Sequence, residues 1–130
     1  MFNWRRPTNL GAKDGRLAAC KRSPNCVSSQ ADPGDREHYT APIAFRGSMG
    51  DLRKAVESMA RSTVITAERN YLYAEYRSAL LRYVDDLELL YDEAAGLVHV
   101  RSASRLGRRD FGVNRARVER LRSLITKVAA

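Results

Sequence analysis

Four consecutive segments between Thr63 and Ser104 have the alternation of β-strands, and they constrain the fold more than any other part of the chain. They read TVITAER, YLYAEYR, LRYVDDLELLY and GLVHVRSAS, each rich in β-branched and aromatic residues. Short turn sequences separate them, and the clearest is Asp92-Glu93-Ala94-Ala95-Gly96. Strands linked in this way form an antiparallel meander, which can pack helices on one face and leave the other to solvent or a ligand.

Two helices are predicted around this sheet. The first begins after a capping sequence at Ser48, with Asp51 favouring the positive helix end, and runs to about Arg61. The second follows Asp110 or Gly112 as its cap. Each carries one apolar stripe for core packing, made of Leu52, Val56, Met59 and Ala60 in the first helix and of Val118, Leu121, Ile125 and Val128 in the last.

The predicted fold class is therefore α+β, with an antiparallel meander sheet of about four to five strands packed by two helices. Pro42 to Phe45 supplies a short edge strand. A chain of 130 residues fits a single domain over residues 1–130, with the α+β core at 43–130. Residues 1–42 show no sustained period and form a long irregular segment. It is either a loose arm or wraps the core through the residues Trp4, Leu10, Leu17, Val27 and Tyr39.

Cys20 and Cys26 flank the turn-forming sequence Ser23-Pro24-Asn25, which favours the wrapping interpretation. The two cysteines are compatible with separate reduced thiols, with a disulfide, or with a redox or metal role. Their spacing fits no standard zinc pattern, and His38 lies in an acidic loop where a packing role is the simpler interpretation. We predict no metal and no cofactor, since the sequence contains neither a Walker motif nor a dinucleotide fingerprint.

The net charge of +8 is unevenly distributed. Lys and Arg outnumber acids by six to one in residues 1–22 and by nine to two in residues 101–130, whereas residues 23–100 carry eight against twelve. The three parts either neutralise one another or form a surface that attracts phosphate, nucleic acid or acidic metabolites. No apolar run is long enough to span a membrane and no secretory signal is present, so we expect a cytoplasmic protein if Met1 is the true start, or a periplasmic one if an upstream leader is missing.

Strand alternation places charges of both signs on one face of the sheet. Asp85 and Asp86 are adjacent, so they point to opposite faces and cannot form a facing carboxylate pair. The charges predict either a cross-strand ladder, in which Asp85 or Asp86 and Glu88 pair with Arg77 and Arg101, or the wall of a ligand pocket.

Polar residues concentrate where the last strand, the following loop and the helix N-terminus should converge. The candidate ligand-binding residues are Asp86, Arg101, Ser102, Ser104, Arg105, Asn114 and Arg115. They predict a binding or accessory module for an anionic small molecule or an acidic partner segment. Two other classes are considered: an enzyme using Cys26 as nucleophile or Asp85/Asp86 as base, and a nucleic-acid-binding protein using the basic C-terminal helix. The sequence does not determine an oligomeric state.

Three motifs together, SPNCVSS, YVDDLEL and VRSASRLGRRDFGVNRARVE, resemble the domain-of-unknown-function (DUF) 1499 family of bacteria and plant chloroplasts. The resemblance covers roughly residues 11–125 and implies a single compact domain, without supplying a mechanism. It implies that thirteen residues belong to the family pattern: Pro24, Asn25, Cys26, Asp85, Asp86, Arg101, Ser102, Ser104, Arg105, Asp110, Asn114, Arg115 and Glu119. Members often carry an export or membrane-anchoring segment, which this sequence does not show; such a segment implies an oxidising compartment and a Cys20–Cys26 disulfide.

Overall fold

The computed structural model describes residues 5–79, 83–107 and 109–129, which form two helices and a six-stranded antiparallel sheet. The helices are α1 (Met49–Glu57) and α2 (Val113–Ala129). The strands are β1 (Cys26–Ser28), β2 (Ile43–Ala44), β3 (Ser62–Glu68), β4 (Tyr71–Arg77), β5 (Val84–Asp92) and β6 (Leu97–Ser104). The α+β class predicted from the sequence is confirmed.

The four long strands form the predicted meander, in the spatial order β3, β4, β5, β6. The outer side of β6 pairs with both short strands, β1 near Ala103 and β2 near Val98. The sheet is therefore slightly larger than the four to five strands predicted. Strand β1 lies inside the segment 1–42, which is predicted to be irregular. A strand of three residues is too short to show a period in the sequence, so it was not predicted. The predicted third strand began at Leu81, and its first two residues lie outside the described part.

Both helices pack on the same face of the sheet, where the hydrophobic core lies. Val118, Leu121 and Ile125 of α2 are fully buried against strand residues such as Leu87 and Val100. The predicted stripe of α2 is thus confirmed for these three residues, while the side chain of Val128 lies outside the described part. Of the stripe predicted for the first helix, Leu52 and Val56 lie in α1 and are buried, whereas Met59 and Ala60 follow its end and are partly buried and exposed respectively.

Helix α1 begins at the predicted cap. The Ser48 hydroxyl accepts a hydrogen bond from the Asp51 backbone N–H at 3.1 Å, and the Asp51 carboxylate reaches back to the Ser48 N–H. The helix ends at Glu57 rather than near Arg61, because the Ser58 N–H closes the last turn and Arg61 takes a positive φ of 61°. The chain can then enter β3 directly.

Residues 5–19 of the N-terminal segment lie on the opposite face of the sheet and are held there by hydrogen bonds. Arg6 reaches Glu75, the Gly11 N–H reaches Glu88, and the Ala19 carbonyl accepts from Arg101. Leu17 and Val27 are buried while Leu10 and Tyr39 are partly exposed; Trp4 lies outside the described residues. These contacts hold the described residues 5–19 against the sheet, and the predicted single domain with a wrapping segment at 1–42 stays a prediction.

Cys20 and Cys26 form a disulfide, which links the chain at residue 20 to the first residue of β1. Of the alternatives predicted from the sequence, the structure contains the disulfide and not two separate reduced thiols. Among the described residues, no helix is long and apolar enough to cross a membrane.

Candidate functional site

A buried charge cluster occupies the face of the sheet under the N-terminal segment. The Arg105 guanidinium donates to Asp86 Oδ1 and Oδ2 at 2.8 and 2.9 Å and to Glu75 Oε2 at 2.6 Å. Glu75 and Asp86 are cross-strand neighbours on β4 and β5, and the Tyr73 hydroxyl lies within hydrogen-bond distance of both carboxylates, so that its single proton is donated to one or shared between them. All three charged side chains are 8% exposed or less. The cation of Arg105 balances one of the two buried carboxylates, and the exposed Arg6, 2.8 Å from Glu75 Oε2, supplies the second positive charge.

The electrostatics of this cluster keep the Glu75 carboxylate ionised. Burial alone would raise the pKa of Glu75, but hydrogen bonds from Arg6, Tyr73 and Arg105 outweigh it and lower the pKa to about 2. Burial and the neighbouring Asp86 raise the pKa of the Tyr73 hydroxyl, which stays protonated. A carboxylate with so low a pKa is a poor general acid or base near neutral pH.

A second pair on the same face joins Glu88 and Arg101, whose Oε1 and Nη1 atoms lie 3.7 Å apart. The other oxygen of Glu88 accepts from the Gly11 N–H at 2.8 Å and from the Tyr71 hydroxyl. The predicted ladder is thus present for Glu88 and Arg101, whereas Asp86 pairs with Arg105 instead of Arg77.

Asn114 anchors the other, helix-covered face. Its side-chain amide donates to the Asn25 carbonyl, to Ser104 Oγ and to Asp110 Oδ2 at 2.7 to 3.2 Å, and its oxygen accepts from Ser102 Oγ at 2.7 Å. Burial alone would raise the pKa of Asp110, but hydrogen bonds from Asn114 and from the Gly112 N–H lower it. This network fixes the β6–α2 loop to the start of α2, and every polar atom of Asn114 is used in it.

Most arginines of α2 bind the protein itself. Arg115 donates to backbone carbonyls of the loop at 36–39, and Arg122 donates to those of Ala41 and Pro42. Arg117 pairs with Asp85 at 2.8 Å and stacks on the Tyr76 ring, with its guanidinium carbon 4.6 Å from the ring centre. The helix is therefore less available to a nucleic acid than its sequence suggests.

The structure does not bring the seven predicted site residues together. Asp86, Arg101 and Arg105 lie under the N-terminal segment, Ser102, Ser104 and Asn114 lie on the helix face, and Arg115 holds the loop at 36–39. Asp85 and Asp86 point to opposite faces, as predicted, and each is paired with an arginine. Cys26 is bonded to Cys20 and is not a free nucleophile in this state. Whether any of these residues binds a ligand stays a prediction.

A groove of about 1090 Å³ lies at the end of the sheet where the α1–β3 turn, the β4–β5 connection, the β6–α2 loop and the start of α2 meet. Its apolar lining comes from all of these elements: Met59, Ala60, Tyr76, Ala79, Tyr83, Val84, Leu106, Phe111, Val113 and Ala116. Four large hydrophobic side chains are exposed among the described residues, and three of them, Tyr83, Phe111 and Val113, line this groove. Such a concentration is typical of a binding surface.

The groove is also positively charged. Five arginines line it, Arg61, Arg77, Arg109, Arg117 and Arg120, against the two carboxylates of Asp85 and Asp110. Both carboxylates are already hydrogen-bonded, to Arg117 and to Asn114 respectively. Arg109 and Arg120 are exposed and make no hydrogen bond or ion pair with any other residue in the described ranges. Their guanidinium groups are available to an anion.

Most of the residues that line the groove could not be predicted as a site from the sequence. They come from five segments that are separated along the chain and meet only in the folded protein. Ser104 is the one predicted site residue that lines the groove. One signal was present in the sequence: Phe111 is an aromatic residue inside a basic, glycine-containing loop, RLGRRDFG, where no core position is expected. The sheet face under the N-terminal segment was easier to predict than the groove, because strand alternation by itself puts Tyr71, Tyr73 and Glu75 of β4 on one face of the sheet.

A second cavity, of about 980 Å³, lies between the N-terminal segment and the loop at 28–38. Its lining mixes Lys13 and Arg16 with Asp32 and Asp35, so it has no clear charge preference. His38 at its edge contacts Asp35 through Nδ1 and the Ser23 carbonyl through Nε2, both within 2.9 Å. Within the described residues no group of three or more His, Cys, Asp or Glu could hold a metal ion.

Comparison with known proteins identifies a family but no close relative. A family model described as "Protein of unknown function (DUF1499)" matches residues 16–125, most of the chain. The searches of curated proteins and of solved structures gave no match. The matched range contains the paired charges of the sheet, the Asn114 network and the groove, and it agrees with the resemblance carried by the three sequence motifs. The chain therefore belongs to the DUF1499 family.

Proposed function

We propose that this protein is a binding module for a small amphipathic anion, a molecule with an apolar body and a phosphate or carboxylate head. The observation that carries the proposal is the groove at the end of the sheet, where exposed apolar side chains and unpaired guanidinium groups lie side by side. The ligand class predicted from the sequence, an anionic small molecule, is kept, and the candidate site moves to the groove.

The chemistry of the groove favours a ligand with two parts. An apolar body would bury Tyr83, Phe111 and Val113, which are now 42%, 93% and 48% exposed. An anionic head would pair with Arg109 and Arg120, which have no carboxylate partner in the part of the chain that the structure describes. An inorganic anion would use only the second contribution and should bind weakly.

The charge cluster around Arg105 is a weaker candidate for the same function. Its cations are already neutralised by Glu75 and Asp86, and the N-terminal segment covers it. An anion entering there would have to displace buried carboxylates, whose ion pairs are costly to break. We therefore assign this cluster a structural role.

Isothermal titration with dodecyl phosphate, below its micelle concentration, tests the proposal. Inorganic phosphate and decanol serve as the head and the body alone. We expect saturable binding of dodecyl phosphate and much weaker binding of either part. The Arg109→Gln, Arg120→Gln variant should bind about tenfold more weakly, corresponding to about 1.4 kcal/mol for two exposed charge contacts.

The matched control is Arg22→Gln, Arg69→Gln, which removes the same charge from exposed arginines that do not line the groove. This variant should bind dodecyl phosphate as the wild type does. Equal weakening in both variants would show that net charge, and not the groove, determines binding. No binding by the wild type would refute the proposal.

The disulfide supports a second proposal, on the compartment. Disulfides persist in oxidising compartments and are rare in the cytosol, so the Cys20–Cys26 bond favours the periplasmic alternative over the cytoplasmic expectation. Alkylation of the protein in intact cells, before lysis, tests this. Thiols that react without prior reduction would contradict it.

A further inference from the structure

Phe111 is presented to solvent in an unusual way. Its side chain is 93% exposed, and its backbone has a positive φ of 54°, a conformation that bulky residues rarely adopt. A strained backbone that holds an aromatic ring in water has no stabilising effect on the fold, and such strain is found where a functional surface requires it.

The loop that carries Phe111 is fixed at both ends. The Asn25 side chain donates to the carbonyls of Leu106 and Gly107 at 3.2 and 2.6 Å. On the other side, the Asp110 carboxylate accepts from the Gly112 and Asn114 N–H groups at 2.9 and 3.1 Å. These hydrogen bonds fix the backbone on both sides of Phe111 and so hold its ring towards solvent.

Cations and apolar groups surround this ring. The exposed side chains of Arg61, Arg77, Arg109 and Arg120 line the adjoining groove, together with Tyr83 and Val113. On the far side of Phe111 the neighbouring depression contains Arg109 and Arg115 with one exposed acid, Glu37. An apolar projection within a mostly cationic surface matches a layer that is anionic outside and hydrocarbon inside.

We propose that this surface docks on an anionic lipid bilayer, with Phe111 inserted below the headgroups and the arginines paired with lipid phosphates. The proposal rests on the proposed function, since it identifies the amphipathic anion as a membrane lipid. A bilayer fits better than a single soluble ligand, because Phe111 points away from the protein and can be covered only by something that extends beyond the groove.

Vesicle co-sedimentation tests this inference on the full chain. The vesicles are phosphatidylcholine alone, or phosphatidylcholine with about 30% phosphatidylglycerol as the anionic lipid. We expect binding to the anionic vesicles that falls as salt is raised, and little binding to the neutral ones. The variant is Phe111→Asn, because asparagine tolerates a positive φ and should leave the loop intact. It should bind anionic vesicles at least about tenfold more weakly, as expected for losing a buried aromatic side chain.

Ile65→Thr is the matched control, since Ile65 is exposed (39%) on the edge strand β3 and does not line the groove or the depression beside Phe111. It should bind vesicles as the wild type does. Insertion is measured directly with Phe111→Trp and brominated lipids, which quench the fluorescence of a tryptophan in the hydrocarbon. The wild type, with Trp4 as its only tryptophan, is the reference. We expect additional quenching in the variant.

The outcomes separate the two proposals. Binding of dodecyl phosphate without binding of anionic vesicles overturns the docking proposal and leaves the proposed function intact, whereas failure of both refutes both. Equal vesicle binding by the wild type and Phe111→Asn, equal binding to neutral and anionic vesicles, or no additional quenching of Phe111→Trp also overturns the docking proposal.

Discussion

Replacement of Arg105 by methionine tests whether the buried charge cluster stabilises the fold. The substitution keeps an unbranched, flexible apolar stem but shortens the side chain, and it removes the cation between Glu75 and Asp86, whose side chains are 7% and 2% exposed. Two buried carboxylates then lose their main partner, and loss of one member of a buried ion pair typically costs about 3 to 5 kcal/mol.

The pKa of Glu75 gives a second measure of this stabilisation. This pKa lies at about 2, against a usual value of 4.5. Each pKa unit corresponds to about 1.36 kcal/mol, so the ionised form of Glu75 is stabilised in the folded protein by about 3 kcal/mol. Arg6 and Arg105 share the effect. Arg6 is 51% exposed and screened by water, whereas Arg105 is 8% exposed, so we assign the larger part to Arg105.

The pH dependence has a defined sign. Because the folded pKa of Glu75 is lowered, its contribution is present above the unfolded pKa of 4.5 and is lost as the pH falls towards 2. In Arg105→Met the pKa of Glu75 returns towards its usual value, and the part of the stabilisation that Arg105 supplies is absent at every pH, while the part from Arg6 and Tyr73 remains. The stability difference between wild type and variant should therefore narrow as the pH falls.

Urea denaturation followed by circular dichroism measures this difference, at about pH 7 and about pH 3.5. Arg6→Met is the matched control, since Arg6 donates to the same Glu75 oxygen at 2.8 Å from an exposed position. It should lower the free energy of unfolding by about 1 kcal/mol or less. Equal losses in the two variants, or a loss in Arg105→Met that does not change with pH, would refute this reasoning.

Two further predictions concern the N-terminal part of the chain. Cys20→Ser, Cys26→Ser should lower the free energy of unfolding by about 2 kcal/mol, the loop-closure value for so short a loop, and unchanged urea stability would contradict this. His38 is buried, which alone would lower its pKa, but hydrogen bonds to the Ser23 carbonyl and the Asp35 carboxylate raise it above 6.5. The stabilisation by protonated His38 is thus complete below pH 6.5 and lost as the pH rises through the raised pKa; a midpoint at or below 6.5 in an NMR titration of the ring would be inconsistent with it.

Local rules predicted most of the fold because its elements follow one another along the chain. Strand alternation predicted a sheet face that carries charges of both signs, and the cross-strand pairing of Glu75 with Asp86 and of Glu88 with Arg101 agrees with it. The Ser48 and Asp51 capping box marked the start of α1 for the same reason, since both partners lie within one turn. The three-residue strand β1 was missed because its pairing with β6 is long-range and leaves no local period.

The amino-acid sequence by itself determined the α+β class, the meander, the two apolar helix faces and the opposite orientations of Asp85 and Asp86. These depend on side-chain periodicity, which is a property of neighbouring residues. Only the tertiary structure decided which charges neutralise one another and which remain available. Arg105 and Arg120 look alike in sequence, yet Arg105 meets two carboxylates of β4 and β5, whereas Arg120 lines an open groove. Whether an arginine is free to bind a ligand depends on carboxylates that are distant along the chain. Only folding brings the arginine and these carboxylates together.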